Sequence, residues 1–222
     1  MNKNGQGTFD LDADKLRALA LVPVSRETKT RLETYVKLLL LWQSKLNLVA
    51  SSTVRELWTR HIADSLQLLP LAPQARVWVD FGSGGGFPGL PIACALADQP
   101  GAKVHLIESN GKKAAFLREA VRATRVPAII HQERAEKFAE SCVETVHVVT
   151  ARALAPLKIL CDQAFPLINR GAIGLFLKGQ DVDAELTEAA KYWRLGASKV
   201  ASTTSPQSSI VIVRSLKPFR SA

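Results

Sequence analysis

The segment Val77-Trp78-Val79-Asp80-Phe81-Gly82-Ser83-Gly84-Gly85-Gly86-Phe87-Pro88-Gly89 concentrates the residue types that could do chemistry. A short apolar run reaches an acid, passes through a glycine-rich loop and leads into a helix-like stretch. Glycines permit φ > 0 and let a ligand approach the backbone with no Cβ in the way. In open α/β sheets ligands bind at the carboxyl ends of the strands, which is where such a loop lies. A merely tight strand–helix turn needs one or two glycines, fewer than stand here. Pro88 and Pro91 suit a first helical turn, where amide donors are spare.

Glu108 closes the next apolar run, and a carboxylate there can accept both hydrogen bonds of a ribose diol. Loop and acid together point to a nucleoside-containing ligand. Gly84, Gly86 and Gly89 also satisfy G-x-G-x-x-G, so an NAD-dependent oxidoreductase is a competing reading. Asp80 argues against it, because an anion just before the loop sits poorly beside a pyrophosphate. It suits a cationic group, such as the ammonium of a methionine moiety. No obvious hydride-transfer dyad supports the oxidoreductase either.

Other clusters are weaker. His61, Asp64 and Ser65 fall at i, i+3 and i+4, a spacing that favours local hydrogen bonds and a polar seam to the core over a hydrolase triad. No G-x-S-x-G elbow is present. Cys94, Cys142 and Cys161, like the four histidines, lack metal-ligand spacing, so no metal is expected. Arg118, Arg122 and Arg125 recur at i, i+4 and i+7 and make either a phosphate-gripping stripe or a solvated helix face.

These residues must be positioned by an alternating framework. Val77–Phe81, Val104–Ile107, Ala128–Ile130, His147–Thr150 and Ile173–Leu177 are short apolar runs of the kind buried on both faces of a parallel sheet. Helical stretches near Leu90–Leu96, Lys112–Thr124, Pro156–Ile168 and Val182–Trp193 separate them. Alternation of this kind gives parallel βαβ units and a doubly wound α/β sheet. Leu195–Thr203 and Ile210–Leu216, joined by Ser205-Pro206-Gln207, read as an appended antiparallel C-terminal hairpin. Ahead of the sheet, one helix follows the N-cap candidate Ser25. A second starts at Thr53, which has capping-box spacing to Glu56. Residues 1–74 are thus a helical N-terminal extension and residues 75–222 the ligand-binding domain.

The chain of 222 residues carries a formal charge of +9, and the basic excess is shared by both halves. Such a field favours a polyanion. Met1–Phe9 has no apolar core of a signal peptide, and no apolar run spans a bilayer. The unpaired cysteines fit a reducing cytoplasm.

Asp80 through Pro91, with Arg134-Ala135-Glu136, Ala151-Arg152-Ala153 and Leu177-Lys178-Gly179-Gln180, resembles the bacterial 16S ribosomal RNA guanine-N7 methyltransferase family, also called glucose-inhibited division protein B. Trp42-Gln43-Ser44-Lys45-Leu46-Asn47-Leu48 and Arg60-His61-Ile62-Ala63-Asp64-Ser65-Leu66 resemble its two N-terminal motifs, so the likeness runs from about Leu32 to Arg214. It implies a Rossmann-like class I methyltransferase fold, S-adenosyl-L-methionine as cofactor and small-subunit ribosomal RNA as partner, either naked or as an assembling particle. It further implies a cytoplasmic monomer that methylates guanine N7. Carried onto this chain, it places Gly82, Phe87, Ala135, Glu136 and Arg152 at the cofactor, beside the Glu108 already read as the ribose acceptor. Arg152 would also face the incoming base, where it and Lys178 could hold O6 or phosphates. Guanine N7 carries a lone pair and no proton, so the resemblance implies no acid–base pair and no catalytic residue. Gly85 departs from the Pro or Ala usual in the family, and a slightly looser loop is expected. A non-catalytic RNA-binding module with a vestigial pocket is the remaining alternative.

Overall fold

The computed structural model describes residues 6–219. Lys3, and with it most of the Met1–Phe9 segment, lies outside the described residues. One seven-stranded sheet runs through the molecule in the order β3-β2-β1-β4-β5-β7-β6. The strands β1 (Val77–Phe81), β2 (Lys103–Ile107), β3 (Ala128–His131), β4 (Val148–Arg152) and β5 (Ile173–Lys178) are all parallel. The hairpin of β6 (Trp193–Ala201) and β7 (Ser209–Pro218) is antiparallel and joins through β7 to β5. This is the Rossmann-like doubly wound fold with a C-terminal hairpin.

Helices cover both faces. On one side lie α1 (Gln6–Leu21), α2 (Arg26–Gln43), a 3₁₀ turn (Ser51–Glu56), a π-helical segment (Trp58–Ala63), the short α3 (Asp64–Leu66), α4 (Gly89–Leu96) and α5 (Gly111–Thr124). On the other lie α6 (Ala135–Ser141), α7 (Leu157–Ile168) and α8 (Val182–Ala189). The period of two along a strand deals its side chains to both. Trp78 joins Leu32, Tyr35, Leu39, Leu90 and Phe116 in the first core. Val77, Val79 and Phe81 join Leu160, Ala164 and Phe176 in the second. All five residues of β1 are buried, as a central parallel strand requires. Each large apolar side chain so buried contributes about 1.5–3 kcal/mol.

Ser25 caps α2, accepting from the Thr28 amide at 3.1 Å. Thr53 does not cap. Its hydroxyl donates to the Ala50 carbonyl at 2.8 Å, and it lies inside the 3₁₀ turn. The helical turn that follows takes its cap from another element: buried Asp14 of α1 accepts from the Trp58 amide at 2.7 Å and from the Thr59 hydroxyl at 2.5 Å. That satisfies amide donors that would otherwise be orphaned and docks α1. The expected helix to Trp193 stops at Ala189, because Trp193 already pairs with Pro218 in the hairpin. Among the described residues no helix is long and apolar enough to cross a membrane.

Candidate active site

The carboxyl ends of β1, β2 and β4 converge on the glycine loop. Asp80 at the end of β1 is fully buried, and it does not face a ligand. Its Oδ2 accepts from the Gly89 amide at 3.1 Å and its Oδ1 from the Thr150 hydroxyl at 3.2 Å. Burial pushes its pKa up to about 7. The acid read as a partner for a cationic ligand group therefore works as an internal staple between β1, β4 and the start of α4. Gly85 corrects the expectation of a looser loop. A Cβ there would lie 2.8 Å from the Leu48 carbonyl oxygen, and the buried Tyr35 hydroxyl donates to the Gly85 carbonyl. Glycine at this position allows the N-terminal segment to clamp the loop.

Beside the loop lies a cleft of about 260 Å³ whose wall includes Gly82, Gly84, Glu108, Ala135, Glu136 and Gln163. Gly82 holds φ +64, and Glu108 is buried at the end of β2. Glu108 Oε2 accepts from the Gly84 amide at 2.9 Å, and Oε1 accepts from the Asn110 amide at 2.7 Å. Asn110 in turn caps α5 through the Lys112 and Lys113 amides. Each carboxylate oxygen keeps a free lone-pair direction. Gln163 gives its amide to Glu136 at 2.7 Å. Its Oε1 is the only buried side-chain polar atom among the described residues with no hydrogen-bond partner. A nucleoside, which brings a diol and an exocyclic amine as donors, fits this acceptor-rich wall. Gln163 was not foreseen, because within the apolar pattern of α7 it reads as an ordinary helix residue.

A second pocket of about 390 Å³ adjoins the cleft, and Ala153 lines both. Ala153 follows β4 in the left-handed region at φ +51, unusual for a residue with a Cβ. Arg60, His61, Asp64, Arg152, Lys178 and Ser209 are among its wall residues. Arg152, expected at the cofactor, belongs to this pocket and does not line the cleft. Its guanidinium donates to His61 Nδ1 at 2.6 Å and to the Arg60 carbonyl at 3.1 Å, and covers the Phe87 ring at 4.9 Å. Phe87 is accordingly buried beneath Arg152 and between His61 and Tyr35, away from the cleft wall. Lys178 is committed to Glu185 at 2.6 Å and to the Ala155 carbonyl at 2.9 Å. The stripe residues Arg118, Arg122 and Arg125 are exposed along α5 and line neither pocket.

Asp64 and Ser65 form the expected seam, with a longer reach than their spacing showed. Asp64 Oδ1 accepts from the Gln67 amide at 2.7 Å and from the Thr204 hydroxyl at 2.6 Å, tying the N-terminal helices to the hairpin. Cys94, Cys142 and Cys161 are buried and free, and burial pushes the Cys94 and Cys161 thiols up to about 12. Among the described residues no cluster of His, Cys, Asp or Glu could hold a metal ion.

A doubly wound sheet with a nucleoside cleft at its glycine loop and an adjoining polar pocket defines an S-adenosylmethionine-dependent class I methyltransferase. The fold is similar to that of a proposed O-methyltransferase from Klebsiella pneumoniae (TM-score 0.56, 13% identity, covering 94% of this chain and 98% of that one). It is equally similar to the cofactor-bound protein Rv0187 from MTB (TM-score 0.57, 14% identity, 92% and 97%). The family described as rRNA small subunit methyltransferase G (GidB) matches residues 28–213. A ribosomal RNA small subunit methyltransferase G of Bradyrhizobium sp. (strain BTAi1) is 60% identical over 90% of both chains. One of Nitrobacter hamburgensis is 60% identical over 90% of this chain and 76% of its own. The chain belongs to the rRNA small subunit methyltransferase G family.

Proposed function

We propose that this enzyme methylates N7 of a guanine in small-subunit ribosomal RNA, with the methyl donor in the glycine-loop cleft and the base in the adjoining pocket. The observation that carries the reading is the shared wall at Ala153, which lets two ligands meet at the carboxyl ends of the strands. Gly82, Glu108, Ala135 and Glu136 hold the cofactor, Glu108 by accepting from the ribose diol. When bound, S-adenosylmethionine supplies an electrophilic methyl group on a sulfonium. Arg152 acts from the pocket side as a polar rim beside the base, and Phe87, buried beneath it, supports its guanidinium.

Guanine N7 carries a lone pair and no proton, so the transfer needs no general base. His61 is neutral, with its pKa lowered to about 3 by burial and then by the Arg152 charge, and both ring nitrogens are engaged. The residues orient N7 and exclude water, so catalysis is by alignment. The partner is small-subunit ribosomal RNA, naked or in an assembling particle, met in the cytoplasm by a monomer. Mass mapping of ribosomal RNA nucleosides from cells with and without the gene tests this. The expected result is loss of one 7-methylguanosine; an unchanged map overturns it.

A further inference from the structure

The pocket beyond Ala153 carries an acceptor that the seam does not use. Asp64 Oδ1 is occupied by Gln67 and Thr204, whereas Oδ2 has no hydrogen-bond donor, and its nearest cation, Arg152 Nη1, lies 4.0 Å away. Glu185, the other carboxylate in this wall, already carries Lys178 and the Leu157 amide on one oxygen. Asp64 lines this pocket and not the cleft. Ala153 lines both pockets, whereas Arg152 and Asp64, with Nη1 and Oδ2 4.0 Å apart, line this one alone.

A guanine with N7 toward the cleft presents O6 as an acceptor and, beyond it, N1–H and the 2-amino group as donors, which a neighbouring guanidinium and carboxylate complement. Arg152 uses two of its five N–H donors on His61 and the Arg60 carbonyl, which leaves others for O6. We propose that Asp64 Oδ2 accepts from the N1–H and 2-amino edge of the target base, and that this contact makes the pocket select guanine over adenine. Adenine presents an unprotonated N1 at that place, which would set a lone pair against a carboxylate and leave the acceptor unpaired. Sites built to hydrogen-bond a substrate group reject analogues lacking it strongly for this reason. The assignment rests on the guanine-N7 reading.

The test compares a synthetic segment of the mapped ribosomal RNA carrying guanosine or inosine at the modified position, inosine lacking only the 2-amino group. The wild-type kcat/KM should fall about tenfold on inosine, the scale of one hydrogen bond to a charged group. Asp64→Asn should lose activity on guanosine and show a guanosine-to-inosine ratio near one. Its S-adenosylhomocysteine affinity by calorimetry should stay within about twofold of wild type, which also confirms the fold. Asp64→Glu, which keeps the charge, should retain a ratio above that of Asn. A wild-type ratio near one overturns the proposal without any variant, as does an undiminished ratio in Asp64→Asn. Failure of the broader reading looks different: the wild type would then methylate no guanine of the RNA at all.

Discussion

Arg152 Nη2 lies 2.6 Å from His61 Nδ1, a guanidinium donating to an imidazole across 91 residues of sequence. A guanidinium has only donors, so Nδ1 accepts and the ring proton sits on Nε2, 2.8 Å from the Thr53 hydroxyl. That hydroxyl passes its own proton to the Ala50 carbonyl. The relay fixes Arg152 from behind, so that its remaining donors face the pocket in one orientation.

Arg152→Ala should therefore damage turnover and spare the cofactor. Methyl transfer at saturating RNA is expected to fall by at least about tenfold, because alignment is lost. Affinity for S-adenosylhomocysteine, measured by calorimetry, should change little, since Arg152 is not in the cleft wall. Full turnover in the variant would remove Arg152 from the site.

Glu108→Ala should do the reverse. Loss of a charged acceptor is expected to weaken S-adenosylhomocysteine by roughly 1.5–3 kcal/mol. An analogue without ribose hydroxyls should bind the wild type and the variant with similar affinity. If the variant still discriminates against that analogue as strongly as the wild type, Glu108 does not read the ribose.

Asp80 and His61 pull the pH dependence of stability in opposite directions. Asp80 titrates near 7 when folded, against 3.8 as its ordinary value, so the stability it contributes at low pH is lost as pH rises through that interval. His61 titrates near 3 when folded, against 6.5, so its contribution is complete above 6.5 and is lost as pH falls. Relative to wild type, the melting temperature of Asp80→Asn should rise between pH 4 and 7. That of His61→Asn should rise as pH drops below 6.5. Parallel melting curves across this range would show that neither group is shifted.

Gly85→Ala should destabilise by about 1–3 kcal/mol, the usual cost of forcing extra volume into a filled site. The new Cβ meets the Leu48 backbone, which cannot rotate away as a side chain would. A melting temperature equal to wild type would mean that the Leu48 segment yields freely.

Arg60 lines the second pocket and is half exposed at its rim. Arg60→Glu should flatten the salt dependence of RNA binding by about 0.7–0.9 in log–log slope for one lost phosphate contact. Cofactor binding should persist. Reversal of Arg118 and Arg122, which line neither pocket, should flatten it less.

The legible parts were those whose signals are contiguous. β1, β2, β4 and β5 are apolar runs because they are buried on both faces, β3 is an apolar run at the half-exposed edge, and the hairpin follows from Ser205-Pro206-Gln207. The loop and Glu108 stand at adjacent strand ends and could be read together. The illegible parts depend on distant partners. Thr53 and Glu56 have capping-box spacing, yet Thr53 belongs to His61 and Asp14 supplies the cap from α1. α6 is only seven residues long, too short to show a period. The stacking of Arg152 on Phe87, in contact but 65 residues apart in sequence, has no signature there. The Asp64–Thr204 contact spans 140 residues.

That last contact also sets an order in time. The residues lining the cleft end at Gln163, whereas the second pocket is also lined by Ser202 and Ser209 from the hairpin. A chain still emerging from its ribosome thus carries every residue of the cleft lining before it carries those of the second pocket. Until β7 arrives, the flank of β5 that it pairs with is a bare strand edge, which invites aggregation and not release.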